Sequence, residues 1–247
     1  VALVHSLESS GNFLFRYRGQ IPVALFIMAI PVIYFTDYDI FYSSGKCAIL
    51  ITAIALSFLG LVIRSIAIGM SAKHTSGRNT KKQVAEALNT TGIYSTMRHP
   101  LYVGNYFMWI GIVLFTFNFY FVIIVTLMYW LYYERIMFAE ERFLERKFGQ
   151  SYVDWSMGVP PFIPSFKNYI KSDISFSMKT VLRREYSGVL ATVIGFLYVD
   201  LLRNFIEFGY FKHSHVHLFT LIGAFALVLV LRSLKKYTRV LHEEDRS

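Results

Sequence analysis

This chain is short of charge. Only 17% of its 247 residues are Asp, Glu, Lys or Arg, against about a quarter in soluble domains. The shortfall is concentrated: from Leu101 to Tyr133, 33 residues pass without one charge. Cysteine is nearly absent too, and Cys47 stands alone, which excludes a disulfide within the chain. Three of the six prolines fall together in VPPFIP, Val159 to Pro164, leaving long stretches without a breaker. There is no internal repeat and no low-complexity segment. Acid is the scarcer sign, and the formal net charge is +9. In a soluble protein that excess would suggest nucleic acid. Here the basic residues stand between hydrophobic runs, the positive-inside pattern and a footprint for anionic membrane lipid, so nucleic acid is not expected as a partner.

What is present is apolar: 55% hydrophobic, 17% aromatic, with a mean hydropathy of +0.44. The apolar residues run continuously rather than at amphipathic spacing, which reads as membrane-embedded. Spans are expected at 21–35, where Pro31 would introduce a bend, at 46–63, at 187–206 and at 216–231. One helix over Leu101 to Tyr133 would be roughly 50 Å long, far beyond a hydrocarbon core of about 30 Å. Two tilted spans joined near Thr116 to Asn118 fit better. The fold class is therefore an all-α, polytopic transmembrane helical bundle of about six spans. The basic loops after spans two, four and six place the catalytic loops and both termini of this multi-pass protein in the cytoplasm. The division follows: an interfacial segment at 1–20, a core at 21–166, and a basic linker, two further spans and a basic tail at 167–247. Residues 1–20 mix Phe13, Phe15 and Tyr17 with Arg16 and Arg18, which suits an interfacial helix or a simple anchor.

Two polar clusters flank the charge-free run. At its start, GIYSTMRHPLYVG holds Arg98, His99, Pro100 and Tyr102. Pro100 turns His99 away from helical geometry and suits the first turn that follows, whose N–H groups can bind an anion. Arg98 offers a fork for carboxylate or phosphate. At the far end stands EERFLERKFG, where Met137, Glu141, Leu144 and Phe148 recur on one helical face. A carboxylate on an apolar stripe is costly without a partner. The Glu140–Glu141 pair could hold a cation, act as a base or bind metal. No metal site is expected, and the alternating His213, His215 and His217 lie away from both motifs.

The order G-x-Y-x-x-x-R-H-P-x-Y-x-G, a charge-free hairpin, E-E-x-x-L-x-x-x-F-G-x-x-Y and V-P-x-x-I-P resembles the isoprenylcysteine carboxyl methyltransferase and phospholipid methyltransferase superfamily. It is carried by Gly92, Tyr94, Arg98 to Pro100, Tyr102, Gly104, Glu140, Glu141, Leu144, Phe148, Gly149, Tyr152, Val159, Pro160, Ile163 and Pro164. The resemblance implies a methyltransferase that uses S-adenosyl-L-methionine at the cytosolic face on a lipid or lipid-linked acceptor entering from the bilayer. It implies cofactor contacts at Tyr94, His99, Pro100, Leu101, Tyr102 and Glu140. An upstream segment aligns with Glu86, Leu88 and Asn89, of which only the leucine is retained. The substrate-contacting arginine aligns with Ile136, leaving Arg135 one residue away. Arg98, Glu141 and Arg135 are the candidate catalytic residues. A carboxylate or phosphate acceptor is favoured. The alternatives are an amine of a phospholipid, with Glu141 as base, and an NADPH-dependent membrane reductase of the sterol reductase type.

Overall fold

The computed structural model describes residues 2–37, 45–72, 83–211 and 214–243. His213, named above, and the basic residues Lys73, Arg78, Lys81 and Lys82 of the loop after the second span lie outside the described residues.

Every described regular element is helical: α1 (Leu3–Tyr17), α2 (Ile21–Tyr34), α3 (Lys46–Gly69), a 3-10 turn (Gly92–Ser95), α4 (Pro100–Leu114), α5 (Phe119–Phe148), α6 (Gln150–Gly158), α7 (Met178–Phe208) and α8 (His215–Tyr237). An apolar chain in lipid must satisfy its backbone polar groups internally, and helices do so. Among the described residues six apolar helices occupy the six expected places, and the chain is a multi-pass membrane protein. Among the described residues α3, α5, α7 and α8 are long and apolar enough to cross on their own. At about 1.5 Å per residue, α2 and α4 are each too short to do so. The pair α1 and α2 passes only as a broken unit bent by 80°. That sharp bend falls at the α1–α2 junction rather than at Pro31, which α2 accommodates within its last turn.

The hairpin joint lies where the sequence places it. Phe117 takes a positive φ of 60°, and Asn118 caps α5 by accepting from the Phe121 N–H at 2.9 Å. The Asn118 amide also donates to Thr36 Oγ1 at 2.9 Å, tying the joint to the end of α2. Packing between α3 and α4 depends on absent side chains. A Cβ at Gly104 would lie 2.8 Å from the Gly60 carbonyl and 2.5 Å from Arg64 Cγ. Such small-residue contacts let membrane helices approach closely. Helix α1 uses the same device: a Cβ at Gly11 would lie 2.1 Å from the Arg135 carbonyl of α5. The N-terminal helix is therefore packed against α5, with Phe15 in a buried aromatic cluster beside Tyr102, Tyr129 and Tyr133.

Two elements exceed the sequence reading. Helix α5 runs unbroken from the apolar hairpin through Glu140 and Glu141. Helix α7 begins at Met178, so Arg183, Arg184 and Glu185, read as linker, are helical. Ser177 caps that start by accepting from the Thr180 N–H, and Glu185 has a partner across the bundle, described below.

Candidate active site

The R-H-P segment is extended because Pro100 forbids helix at His99, whose backbone sits at φ −121°, ψ 57°. Its N–H groups must then find acceptors elsewhere. Arg98 N–H donates to the Pro160 carbonyl at 2.9 Å, and His99 N–H to the Pro161 carbonyl at 3.1 Å. Ser165 N–H returns a bond to the Thr96 carbonyl at 2.9 Å. The two prolines can only accept, so V-P-P-F-I-P works as a strap that fixes R-H-P by its carbonyls.

The Arg98 side chain reaches the last turn of α6, just before the strap, Nη1 donating to the Ser156 carbonyl at 2.8 Å. Its Nε lies 3.0 Å from Glu141 Oε1. That oxygen also meets His99 Nε2 at 2.9 Å. Glu141 is thus an ion-paired carboxylate holding Arg98 and His99 together, which resolves the cost of a carboxylate on an apolar stripe. Glu140 faces differently. Its Oε2 accepts from the Tyr102 hydroxyl at 2.7 Å, while Oε1 has no partner among the described residues. The His99 ring stacks on Tyr102, centroids 5.5 Å apart. Burial first, and the Glu140 charge second, push the Tyr94 hydroxyl well above its usual pKa. Burial and then the Glu141 charge do the same at Tyr152. Both phenols remain neutral hydrogen-bond donors at neutral pH.

These groups surround a cavity of about 240 Å³ at the polar end of the bundle. The structure brings Leu88, Asn89, Tyr94, Arg98, His99, Pro100, Leu101, Tyr102 and Glu140 onto its wall. Glu141 stands behind His99. Glu86 and Arg135 are exposed and do not line the cavity, and Ile136 is wholly buried in the aromatic cluster. Among the described residues no group of three or more His, Cys, Asp or Glu is placed to hold a metal ion. His217 instead pairs with Asp200 at 2.9 Å.

Sequence reasoning missed part of the wall. Phe15 comes from α1 and Arg18 from its C-cap, Arg64 from α3, Asn105 from α4, and Arg184 and Glu185 from α7. Arg64 carried a readable signal, since apolar helix-forming sequence continues past it through Ile68. Glu185 carried none, because its partner lies 121 residues away.

The cavity suits a cofactor that is cationic at one point and anionic at another. Glu140 Oε1 offers a carboxylate oxygen, the arginines offer forks, and the Trp155 Nε1–H is a buried donor with no partner among the described residues. S-adenosyl-L-methionine, with a sulfonium, an ammonium and a carboxylate, matches that donor set.

Comparisons with known proteins agree with the motifs. The model of the phospholipid methyltransferase family matches residues 48–151. The chain is 31% identical over 168 residues to the protein-S-isoprenylcysteine O-methyltransferase of Saccharomyces cerevisiae, covering 65% of this chain and 68% of that protein. It is 33% identical over 117 residues to the corresponding Schizosaccharomyces pombe protein, covering 46% of this chain and 48% of that one, about half its length. The nickel-cobalt-cadmium resistance protein NccN of Alcaligenes xylosoxydans xylosoxydans is 26% identical over 197 residues, covering 79% of this chain and 85% of that one. No solved structure matches. The motif order, the helical bundle and these similarities together place the chain in the isoprenylcysteine carboxyl methyltransferase and phospholipid methyltransferase superfamily, to which it belongs.

Proposed function

We propose that this protein is an S-adenosyl-L-methionine-dependent methyltransferase acting on a carboxylate or phosphate of a lipid or lipid-linked acceptor. One observation carries the reading: the R-H-P turn, Glu140 and the 87–89 segment converge on one cavity whose wall holds both acid and arginine at the end of an apolar bundle. The relatives with the printed name protein-S-isoprenylcysteine O-methyltransferase support it.

The cofactor supplies a methyl group already activated on a positively charged sulfur. The protein's task is then to position and shield the reactants, a contribution worth roughly 7–11 kcal/mol. Glu140 would hold the cofactor's cationic end, with Tyr102 steering the carboxylate and His99 stacked behind Tyr102. Leu88, Asn89, Tyr94, Pro100 and Leu101 would complete its walls. An oxygen anion that takes a methyl group has no proton to lose, so no general base is required. The geometry of Glu141 favours that case, because a carboxylate committed to Arg98 and His99 is poorly placed to take a proton from an amine. The arginine excess on the wall, four against Glu140 and Glu185, also suits an anionic acceptor.

The experiment is a pH–rate profile of the wild type and Glu141→Gln. A carboxylate ionises near pH 4, so the rate should stay flat through neutrality and Glu141→Gln should retain measurable turnover. A rate rising tenfold per pH unit, with Glu141→Gln inactive but still binding cofactor, would mean an amine acceptor. The basic flanks further support both termini, Arg98 and the 159–171 segment facing the cytoplasm, with anionic lipid along that face. A cysteine placed at Lys171 should then resist impermeant reagents applied outside intact cells, and labelling there would reverse the orientation.

A further inference from the structure

Arg64 leaves the end of α3 and crosses the bundle towards α7. Glu185 meets it edge-on: Arg64 Nε donates to Glu185 Oε2 at 2.8 Å and Nη2 to Oε1 at 2.6 Å. From the other side, Arg64 Nη1 donates to Asn105 Oδ1 at 2.5 Å. The Asn105 amide donates in turn to the Tyr133 hydroxyl at 3.3 Å. An arginine has five N–H donors, and three are used in these contacts. The guanidinium is thus fixed in plane, retains two donors, and lies on the cavity wall.

The motif glycine Gly104 makes this possible. A Cβ there would collide with the Arg64 stem at 2.5 Å, so the residue that closes R-H-P-x-Y-x-G clears a path for Arg64. Burying an ion pair is expensive and seldom stabilises by itself. A helix beyond the matched family region supplies one half of this pair, which points to a use in recognition rather than in folding alone.

We propose that Arg64 is the residue that recognises the acceptor's anion, a carboxylate or a phosphate, and that Glu185 and Asn105 are positioning residues that aim it. This rests on the anionic-acceptor reading above. Two of its three competitors on the wall are otherwise engaged: Arg98 holds Glu141 and the Ser156 carbonyl, and Arg18 stacks over Phe15 at 3.8 Å; the third, Arg184, lies next to Glu185 on α7. The location also favours acceptor over cofactor. Both the Glu185 carboxylate and the Met108 methyl approach the Cβ position of Gly188, at 3.0 and 3.7 Å. Met108 lines a second, apolar cavity of about 130 Å³ among α2, α4, α5 and α7. An acceptor with its anion on Arg64 can therefore extend its apolar chain past Met108 into that cavity.

Calorimetry on the purified full chain in neutral-lipid discs tests this with N-acetyl-S-farnesylcysteine, its carboxamide and farnesyl monophosphate. The wild type should prefer one of the anions over the carboxamide, and the tighter anion tells carboxylate from phosphate. Arg64→Lys keeps the charge but loses the fork, and should weaken that anion by about 10- to 100-fold. Its carboxamide and S-adenosyl-L-methionine affinities should hold within about twofold. Glu185→Gln should erode the same preference, and together with the wild-type preference it decides the matter if Arg64→Lys does not fold. Equal losses for anion and carboxamide, a loss confined to S-adenosyl-L-methionine, or a wild type indifferent to the anion would overturn the assignment. A wild type that fails to bind S-adenosyl-L-methionine would sink the methyltransferase reading instead, leaving the anion comparison intact.

Discussion

Glu185→Ala is expected to destabilise the protein by about 3–5 kcal/mol, the largest stability effect of any single change considered. The Glu185 side chain is 5% exposed and that of Arg64 19%. Removing the carboxylate strands a guanidinium between α3, α4 and α7, where little water can replace two charge-assisted bonds. Thermal unfolding in detergent measures the loss. Replacing both partners by methionine should recover much of it, since apolar groups of similar volume carry no unpaired charge. The double variant should nevertheless fail to recognise an anionic acceptor. An unchanged melting temperature in Glu185→Ala would mean that α7 is not held through Arg64.

The second large effect falls on the cofactor. Glu140→Gln should lower S-adenosyl-L-methionine affinity by about 10- to 100-fold, the equivalent of about 1.5–3 kcal/mol for a charge-assisted contact. Turnover at limiting cofactor should fall in step. Stability should barely move, because the Glu140 side chain is 31% exposed and its Tyr102 bond can be kept by an amide oxygen. Calorimetry and thermal unfolding on one preparation separate the two quantities. An unchanged affinity would remove Glu140 from the cofactor's cationic end, and a parallel collapse of stability would make its role structural.

The helices were legible because lipid imposes a simple rule. A charge-free run must be helical, and 33 residues are too many for one span, so the joint near Asn118 followed from length alone. The R-H-P turn was legible for a local reason, since Pro100 constrains His99 whatever the rest of the chain does. Glu141 was flagged by periodicity, but its partners His99 and Arg98 lie 42 and 43 residues upstream, and only the fold could identify them. The start of α7 was misjudged because hydropathy counts Arg183, Arg184 and Glu185 as solvent-seeking. The burial of Glu185 depends on Arg64, a contact 121 residues distant, and no window of sequence contains both halves. Arg135 shows the converse. Alignment brought it within one residue of a functional position, but one residue on a helix is about 100°, and the side chain lies outside the cavity.

The central claim is that this cavity transfers a methyl group to an oxygen anion carried by a lipid-like acceptor. The most direct measurement incubates the purified protein with tritiated-methyl S-adenosyl-L-methionine and N-acetyl-S-farnesylcysteine or total membrane lipid, then treats the extracted product with alkali. Label should enter the lipid phase and depend on Glu140, and a carboxyl ester should release it as volatile methanol while a phosphate ester retains it on an oxygen. Label found on nitrogen, or no transfer from a protein that binds the cofactor, would contradict the account.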